Sequence, residues 1–174
     1  MLDEERSAEH VSKTASLERS SERRDIQRTI NFWQRNVSND DAPPLLETFD
    51  FSAMKGNWGH RFLICSDLNV ENAAFVMYGT EFAQLLNLPE KVQAIVAMLQ
   101  QIPERYRPVF ADGCGKAMTE PEPARFSGAF NYDFQAELYR GVFLPIRLHS
   151  NWSKRLILGS FNYRVVLSID RNAP

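Results

Sequence analysis

The sequence predicts an α+β domain built on a single five-stranded antiparallel sheet, with helices across one face and an N-terminal helical extension. Three features predict it: a long hairpin pattern over residues 137–166, two shorter strand patterns upstream, and helical patterns between these two groups. Runs rich in β-branched and aromatic residues, separated by a few turn formers, are typical of paired strands. The two strand groups form one sheet if the connecting helices return the chain to the first pair.

The hairpin pattern consists of strands at residues 137–149 and 155–166, joined by a turn at 150–154. Successive side chains of a strand point to opposite faces of the sheet. One row of the first strand is therefore continuously apolar, and it contains Leu138, Val142, Leu144, Ile146 and Leu148. We expect the upstream helices to cover this row.

The first 57 residues are expected to lie outside the domain proper, as a charged arm, a helix over about residues 22–37 and a linker. The arm has too few apolar residues to fold alone. Four apolar residues then recur at helical spacing, namely Ile26, Ile30, Trp33 and Val37. This stripe has two possible partners, the parent domain or a second copy of the chain, and it is our candidate dimer or partner contact.

Within the domain proper, residues 58–168, the elements alternate in type before the hairpin, and residues 169–174 form a tail that should fray. We expect strands at 60–66, 73–78 and 124–131 and a short helix at 81–86 with Thr80 as its N-cap. A second helix should extend to Gln101. Its apolar face is formed by Val92, Ile95, Val96 and Leu99. A third helix follows Pro103, and Pro108 indicates either a kink or a later start.

Charge and composition exclude several classes of partner. The net charge of −2 provides no basic surface for a phosphate backbone, so we expect no nucleic acid. No apolar run approaches the roughly 20 residues that cross a bilayer, so we expect no membrane insertion. The acidic N-terminus is not followed by the apolar segment of a secretory signal. The expected location is the cytoplasm.

Metal and nucleophile signals are weak in this sequence. Cys65 and Cys114 fit no metal-ligand spacing and are expected to be reduced, mostly buried thiols. The histidines lack a second ligand nearby in sequence; they are His10, His60 and His149. The glycines around Cys114 predict a helix end rather than a phosphate loop. We therefore predict no metal site and no catalytic residue.

Two stretches of the chain resemble the PAS family of sensory domains. One is Asp67-Leu-Asn-Val with the strand that follows it. The other is Gly79-Thr-Glu-Phe-Ala-Gln-Leu-Leu-Asn-Leu-Pro89, which is similar to the family's Asn-Pro-Ala-Phe…Leu-Leu-Gly-Leu-Pro stretch, with Gly79-Thr80 in place of Asn-Pro and Asn87 in place of Gly. The last strands resemble a divergent branch found in short bacterial regulators. The resemblance covers residues 58–167.

The resemblance implies a sensory or protein-interaction module that acts by binding a partner protein or a second copy. It also implies a small cavity between helices and sheet. Our candidates for lining it are Tyr106, Phe110, Cys114, Phe126, Tyr139, Arg140, Phe143 and Phe161. Aromatic residues at such spacings can equally fill the core themselves. No haem or flavin is predicted, since the connecting helix has no histidine and the flavin-binding cysteine motif is missing.

Two other functions stay open. A small α+β-cavity enzyme of the isomerase or dehydratase type would need a buried acid/base pair, such as Asp133 or Glu137 with Tyr139. A structural adaptor would need no cavity at all. An aromatic-filled interior favours the adaptor, an empty apolar cavity favours a sensor, and a cavity with paired titratable groups favours the enzyme.

Overall fold

A computed structural model describes residues 23–38, 42–54, 58–149 and 154–167. The expected charged arm up to residue 22, His10, most of the hairpin turn and the tail from residue 168 lie outside the described residues. Helix α1 is helical over residues 23–34. The further helices are α2 (Thr80–Leu86), α3 (Met98–Gln101) and α4 (Arg107–Thr119), and the strands are β1 (Arg61–Ser66), β2 (Ala74–Tyr78), β3 (Ala124–Asn131), β4 (Gln135–Arg147) and β5 (Arg155–Leu167).

The five strands form one antiparallel sheet in the order β2-β1-β5-β4-β3. Strands β4 and β5 pair along their whole length, from Gln135 opposite Leu167 to Arg147 opposite Arg155. Strand β1 pairs with β5, so the helical segment does return the chain to the first hairpin. The predicted five-stranded antiparallel sheet and the α+β class are therefore confirmed.

One face of the sheet is covered by α2, α3 and α4, and the space between them is filled mainly by aromatic side chains. We call this cluster the aromatic core. Its largest fully buried members include Phe62, Phe75, Phe82, Tyr106, Phe110, Phe143 and Phe161. Gly113 of α4 lies against the Phe143 ring, and a Cβ at that position would clash with the ring. Glycine therefore allows α4 to approach the sheet closely.

The opposite face of the sheet is covered by α1 and by two short 3₁₀ turns, Leu46–Thr48 and Phe51–Met54. We call this the α1 face. Its buried members are mostly aliphatic: Ile30, Trp33, Phe49, Met54, Leu63, Val142, Leu144, Ile146, Leu156 and Leu158. The apolar row of β4 was expected to lie under the middle helices, and this expectation was wrong. In this part of β4 both rows are buried. The middle helices cover the other row, which contains Phe143.

The helix predicted up to Gln101 is also shorter than expected, because α3 begins only at Met98. Residues 87–97 are not helical, and Ile95 is fully exposed. The backbone N–H of Met98 donates to the carbonyl of Ala73 at 2.7 Å, and its side chain is fully buried. This tertiary contact fixes where α3 starts, and the helical spacing of the preceding apolar residues did not reveal it.

The N-cap of α2 is Gly79, not Thr80, which is the first residue of the helix. A Cβ at residue 79 would clash with the backbone of Gly59, whose carbonyl accepts the Phe82 N–H at 3.0 Å. Close approach of two backbones therefore selects glycine at the cap. At α4, Pro108 lies in the first turn, so the later start is correct and a kink is not needed.

Candidate functional site

The aromatic pocket candidates lie together in the structure, but they pack against one another. The Phe110 ring lies 5.1 Å from Phe161 and 5.3 Å from Phe143, measured between ring centroids. Tyr106 lies 4.9 Å from Phe161 in an edge-to-face arrangement. These distances are those of favourable aromatic pairs. The rings therefore occupy the space in which a ligand of the predicted kind would lie.

The remaining candidates surround this cluster or lie away from it. Cys114 is fully buried beside Met98, with 3.9 Å between the two sulfur atoms. Phe126 and Tyr139 are partly buried at the border of the aromatic core. Arg140 lies on the α1 face, because it shares the row of Val142. The predicted set thus divides between the two faces of the sheet.

A buried polar cluster lies at one end of the aromatic core, around Glu137. The Tyr106 hydroxyl donates to Glu137 Oε1. Arg105 donates to both oxygens of the same carboxylate, from Nε at 2.7 Å and from Nη2 at 3.2 Å. The guanidinium also lies over the Tyr106 ring, 4.7 Å from its centroid. Both carboxylate oxygens are therefore occupied.

The electrostatics of this cluster favour a fixed charge state. Burial, and then the hydrogen bond to Glu137, raise the pKa of Tyr106 well above its ordinary value of 10. The hydrogen bond to Glu137 likewise raises the pKa of Arg105. A neutral phenol, a carboxylate and a guanidinium in bidentate contact form a stable structural unit. The arrangement holds α4 and its preceding turn against β4.

The acid/base pair that an enzyme would need is not formed by the residues named from the sequence. Glu137 binds Tyr106 and Arg105, whereas Tyr139 stacks on Phe130 at 5.3 Å between centroids. Asp133 is exposed between β3 and β4. Among the described residues, neither Glu137 nor Asp133 forms with Tyr139 the hydrogen bond that the enzyme alternative would need.

Helix α1 is held to the sheet by a polar network that we call the α1 anchor. Asp25 accepts from Arg61 Nη2 at 2.6 Å and from the Ser160 hydroxyl at 2.8 Å. Arg61 Nε donates to the Thr29 hydroxyl at 2.8 Å. Arg61 is only 6% exposed, so its charge requires these partners. The network joins α1 to both β1 and β5.

Apolar contacts complete the attachment of α1. Trp33 is buried and donates its indole N–H to the carbonyl of Pro145 at 2.7 Å. Ile30 is fully buried, whereas Ile26 and Val37 are partly exposed. Of the two partners considered for this stripe, the structure shows the parent sheet. The stripe residues predicted to contact a second copy are thus largely occupied within the chain.

The described histidines and cysteines are placed apart from one another. His149 is exposed and contacts Glu47, with 2.6 Å between Nδ1 and Oε1, and His60 lies at the start of β1. Burial raises the pKa of the Cys114 thiol, which makes it a poor nucleophile. The glycines beside Cys114 lie inside α4 rather than at its end. Among the described residues no three potential ligands converge on a common metal position.

Comparison with known proteins adds no family assignment. No protein-family model matches the chain, and no curated protein matches it significantly. Within the described ranges, no helix combines the length and the apolar character needed to span a bilayer.

Sequence reasoning missed the α1 anchor and the part of Arg105 in the Glu137 cluster, although Tyr106 and Glu137 were among the candidates. A charged residue in an apolar strand is a signal that a buried partner exists, and Arg61 and Glu137 both carry it. The partner cannot be identified from one sequence, because Asp25 is 36 residues from Arg61 and Arg105 is 32 residues from Glu137. Only the folded chain brings them together.

Proposed function

We propose that this chain is a non-catalytic, PAS-like protein of the cytoplasm, a regulatory adaptor that binds another protein and needs no ligand in its core. The observation that carries the proposal is the filled aromatic core. A sensor or enzyme of the predicted kind works in the space between helices and sheet, and here that space holds close-packed rings. The surface is therefore where this module acts.

The three described clefts support this choice because all of them involve surface residues. One lies between α1 and strands β3 and β4, one beside α2, and one beside β2 and the segment that precedes α3. None of them is lined by Phe110, Phe143 or Phe161. A protein partner can use such surfaces without entering the core.

The polar groups of the core support a structural role as well. A general acid or base must be free to exchange a proton with its substrate. Glu137 is held by two partners, and the raised pKa of Tyr106 keeps its phenol protonated at neutral pH. Glu137 and Tyr106 therefore do not provide the free acid/base pair that the enzyme alternative requires.

The covered α1 face supports a regulatory reading of the PAS resemblance. In many members of that family an N-terminal helix dimerises or relays a signal. Here α1 docks on the sheet through the α1 anchor and Trp33, so its position depends on a small number of named contacts. Both cysteines are free thiols, which suits a reducing compartment.

Native mass spectrometry of the protein purified from its own host, combined with an absorption spectrum of the same sample, tests the proposal. We expect each chain to have the mass of the polypeptide alone, no absorption band beyond that of its aromatic residues, and a stoichiometric complex with a second protein. One small molecule per chain that is released on denaturation would contradict the filled core. It would restore the ligand-sensing or enzyme alternatives.

A further inference from the structure

A cleft of about 380 Å³ lies where α1 meets strands β3 and β4. Its charged lining consists of Arg23 from α1, Arg125 from β3 and Arg140 from β4. Ile26 provides an apolar wall, whereas the ring of Phe126 packs on the opposite face of the sheet, against Phe143. We call this site the arginine cleft. It is the place to which the structure brings Arg140, the charged member of the predicted pocket set.

The described residues that line the arginine cleft include no counter-charge. None of its lining residues is an aspartate or glutamate. Within the described part of the chain, the side chains of Arg23, Arg125 and Arg140 take part in no ion pair or hydrogen bond. Asp25, the acidic residue closest in α1, has both oxygens occupied by Arg61 and Ser160. Among the described residues, three positively charged side chains therefore line this cleft without a compensating negative charge.

Such an arrangement is stabilised when an anion binds. Like charges held close together repel, and an added negative charge removes that repulsion. Arginine is also the side chain best suited to carboxylates, because its planar guanidinium donates two parallel hydrogen bonds. Arg140 is half-buried in mid-strand, where a partner reduces the cost of desolvation.

The sheet register indicates how the anionic groups must be spaced. Arg140 is directly opposite Ser127, and Arg125 is opposite Val142, so the two arginines are diagonal neighbours on one face. Diagonal neighbours of an antiparallel pair are roughly 7–8 Å apart. Alternate residues of an extended peptide are separated by about 7 Å. Two acidic residues with one residue between them match this spacing.

The position of β3 favours an extended ligand. It is the last strand of the sheet, so among the described strands its outer edge is unpaired. An extended peptide can lie along such an edge and direct alternate side chains to one face. The exposed Arg125 and the apolar side chain of Ile26 provide further contacts for its side chains.

We propose that the arginine cleft binds an extended acidic segment of a partner protein, with acidic residues at alternate positions and an apolar residue nearby. This inference rests on the proposed function, because it assigns the surface and the chemistry of the partner. Recognition depends on the two diagonal arginines of β3 and β4, and Arg23 adds to the positive field.

Fluorescence anisotropy with the full chain tests the inference. The probe is a labelled peptide with glutamate at alternate positions and one phenylalanine, and the control peptide has glutamine in place of every glutamate. The variant R125Q/R140Q removes the diagonal pair, and R107Q removes one charge at the exposed start of α4. Thermal unfolding checks that each variant folds. If the double variant is unstable, binding is measured with R125Q alone. Arg125 is exposed, so its replacement should not affect folding.

We expect the glutamate peptide to bind and the glutamine peptide not to bind. The double variant should weaken binding by about tenfold or more, the effect of losing a charge-assisted hydrogen bond, whereas R107Q should leave it unchanged. Equal affinity for both peptides would overturn the inference. A loss of affinity in R107Q as large as that in the double variant would overturn it as well. Displacement of the peptide by an equimolar amount of inorganic phosphate would also overturn it, in favour of a small-anion site.

Failure of this inference is distinguishable from failure of the proposed function. If R125Q/R140Q, purified from the host, keeps its protein partner in native mass spectra, the arginine cleft is not the binding surface, although the regulatory function stands. If the unaltered chain carries a small molecule and no protein partner, the proposed function itself is wrong.

Discussion

The two faces of the sheet are closed in different ways. The aromatic core is filled by rings from α2, from α4 and the turn before it, and from four strands, whereas the α1 face is covered by one helix and two short turns. Of the twelve helical residues of α1, only Thr29, Ile30 and Trp33 are buried; α4 buries five of thirteen. The aromatic core is therefore held together by many mutually packed side chains. The α1 face depends on a few contacts, each of which can be removed by one substitution.

Replacing Phe110 with alanine should have the largest effect on stability. Phe110 is fully buried and contacts the rings of Phe62, Phe82, Phe143 and Phe161. The cavity left behind should lower the free energy of unfolding by about 3–5 kcal/mol, measured by urea denaturation. Phe134 is 78% exposed, and its replacement with alanine is the control, with an expected change below about 0.5 kcal/mol. Similar losses in the two variants would mean that the rings are not a packed core.

Replacing Asp25 with alanine should have the next largest effect. It removes a carboxylate from the buried Arg61 and from Ser160, while Thr29 still accepts from Arg61. We expect a loss of about 2–3 kcal/mol in urea denaturation, because Asp25 is partly exposed and a fully buried pair would cost more. Limited proteolysis should then cleave first in α1.

Asp112 offers a matched control for Asp25. It forms an exposed pair with Lys116 within α4, at 3.2 Å. Its replacement with alanine should cost no more than about 0.5 kcal/mol. If the two aspartate variants lose equal stability, the α1 anchor is no stronger than a surface ion pair.

Stability should fall at alkaline pH through Tyr106. Its pKa is raised in the folded protein, so the stabilising effect is complete below the ordinary value of 10 and is lost as the pH rises beyond that value. The free energy of unfolding, measured by urea denaturation between about pH 9 and pH 11, should therefore decline less steeply in Tyr106→Phe than in the unaltered chain. Parallel curves for the two proteins would show that the phenol is not held in its neutral form.

Cysteine labelling should distinguish the two faces without changing stability. Cys114 lies in the aromatic core and Cys65 is partly buried on the α1 face. A thiol reagent should modify Cys65 first, with Cys114 reacting only when the protein is unfolded in urea, since burial raises the pKa of its thiol. The Cys65→Ser and Cys114→Ser variants identify each signal. Faster reaction of Cys114 than of Cys65 in the folded protein would mean that the aromatic core is more accessible to the reagent than the α1 face, contrary to the structure.

Much of the fold could be predicted from the sequence, because strand patterns report local chemistry. The alternation in residues 124–131 and the two runs of the hairpin matched β3, β4 and β5 to within a few residues. Periodicity alone was a poor guide for residues 87–97, where the tertiary contact of Met98 overrode an apparent helical face. The alternation of side chains in β4 also did not show which helices cover each of its two rows, because both rows are buried around Phe143.

The candidate sites were less predictable for a different reason. The aromatic candidates could be chosen by spacing, but spacing does not show whether rings line a space or fill it. Arg140 could be recognised as a charge in an apolar strand, whereas its companions Arg23 and Arg125 are distant in sequence and have no local signal. Sites assembled from three elements depend on long-range register, which one sequence does not reveal.

Native-state hydrogen exchange in a series of low urea concentrations tests the contrast between the faces most directly. Amides of α1 should exchange through a local opening of lower free energy, whereas those of α4, β1 and β5 should exchange only through global unfolding. The Asp25→Ala variant should lower the opening free energy of α1 and that of global unfolding by the same amount, because the Asp25 contacts are lost in both states. Equal opening free energies for α1 and α4 at every urea concentration would contradict the account, because the two faces would then form one cooperative unit.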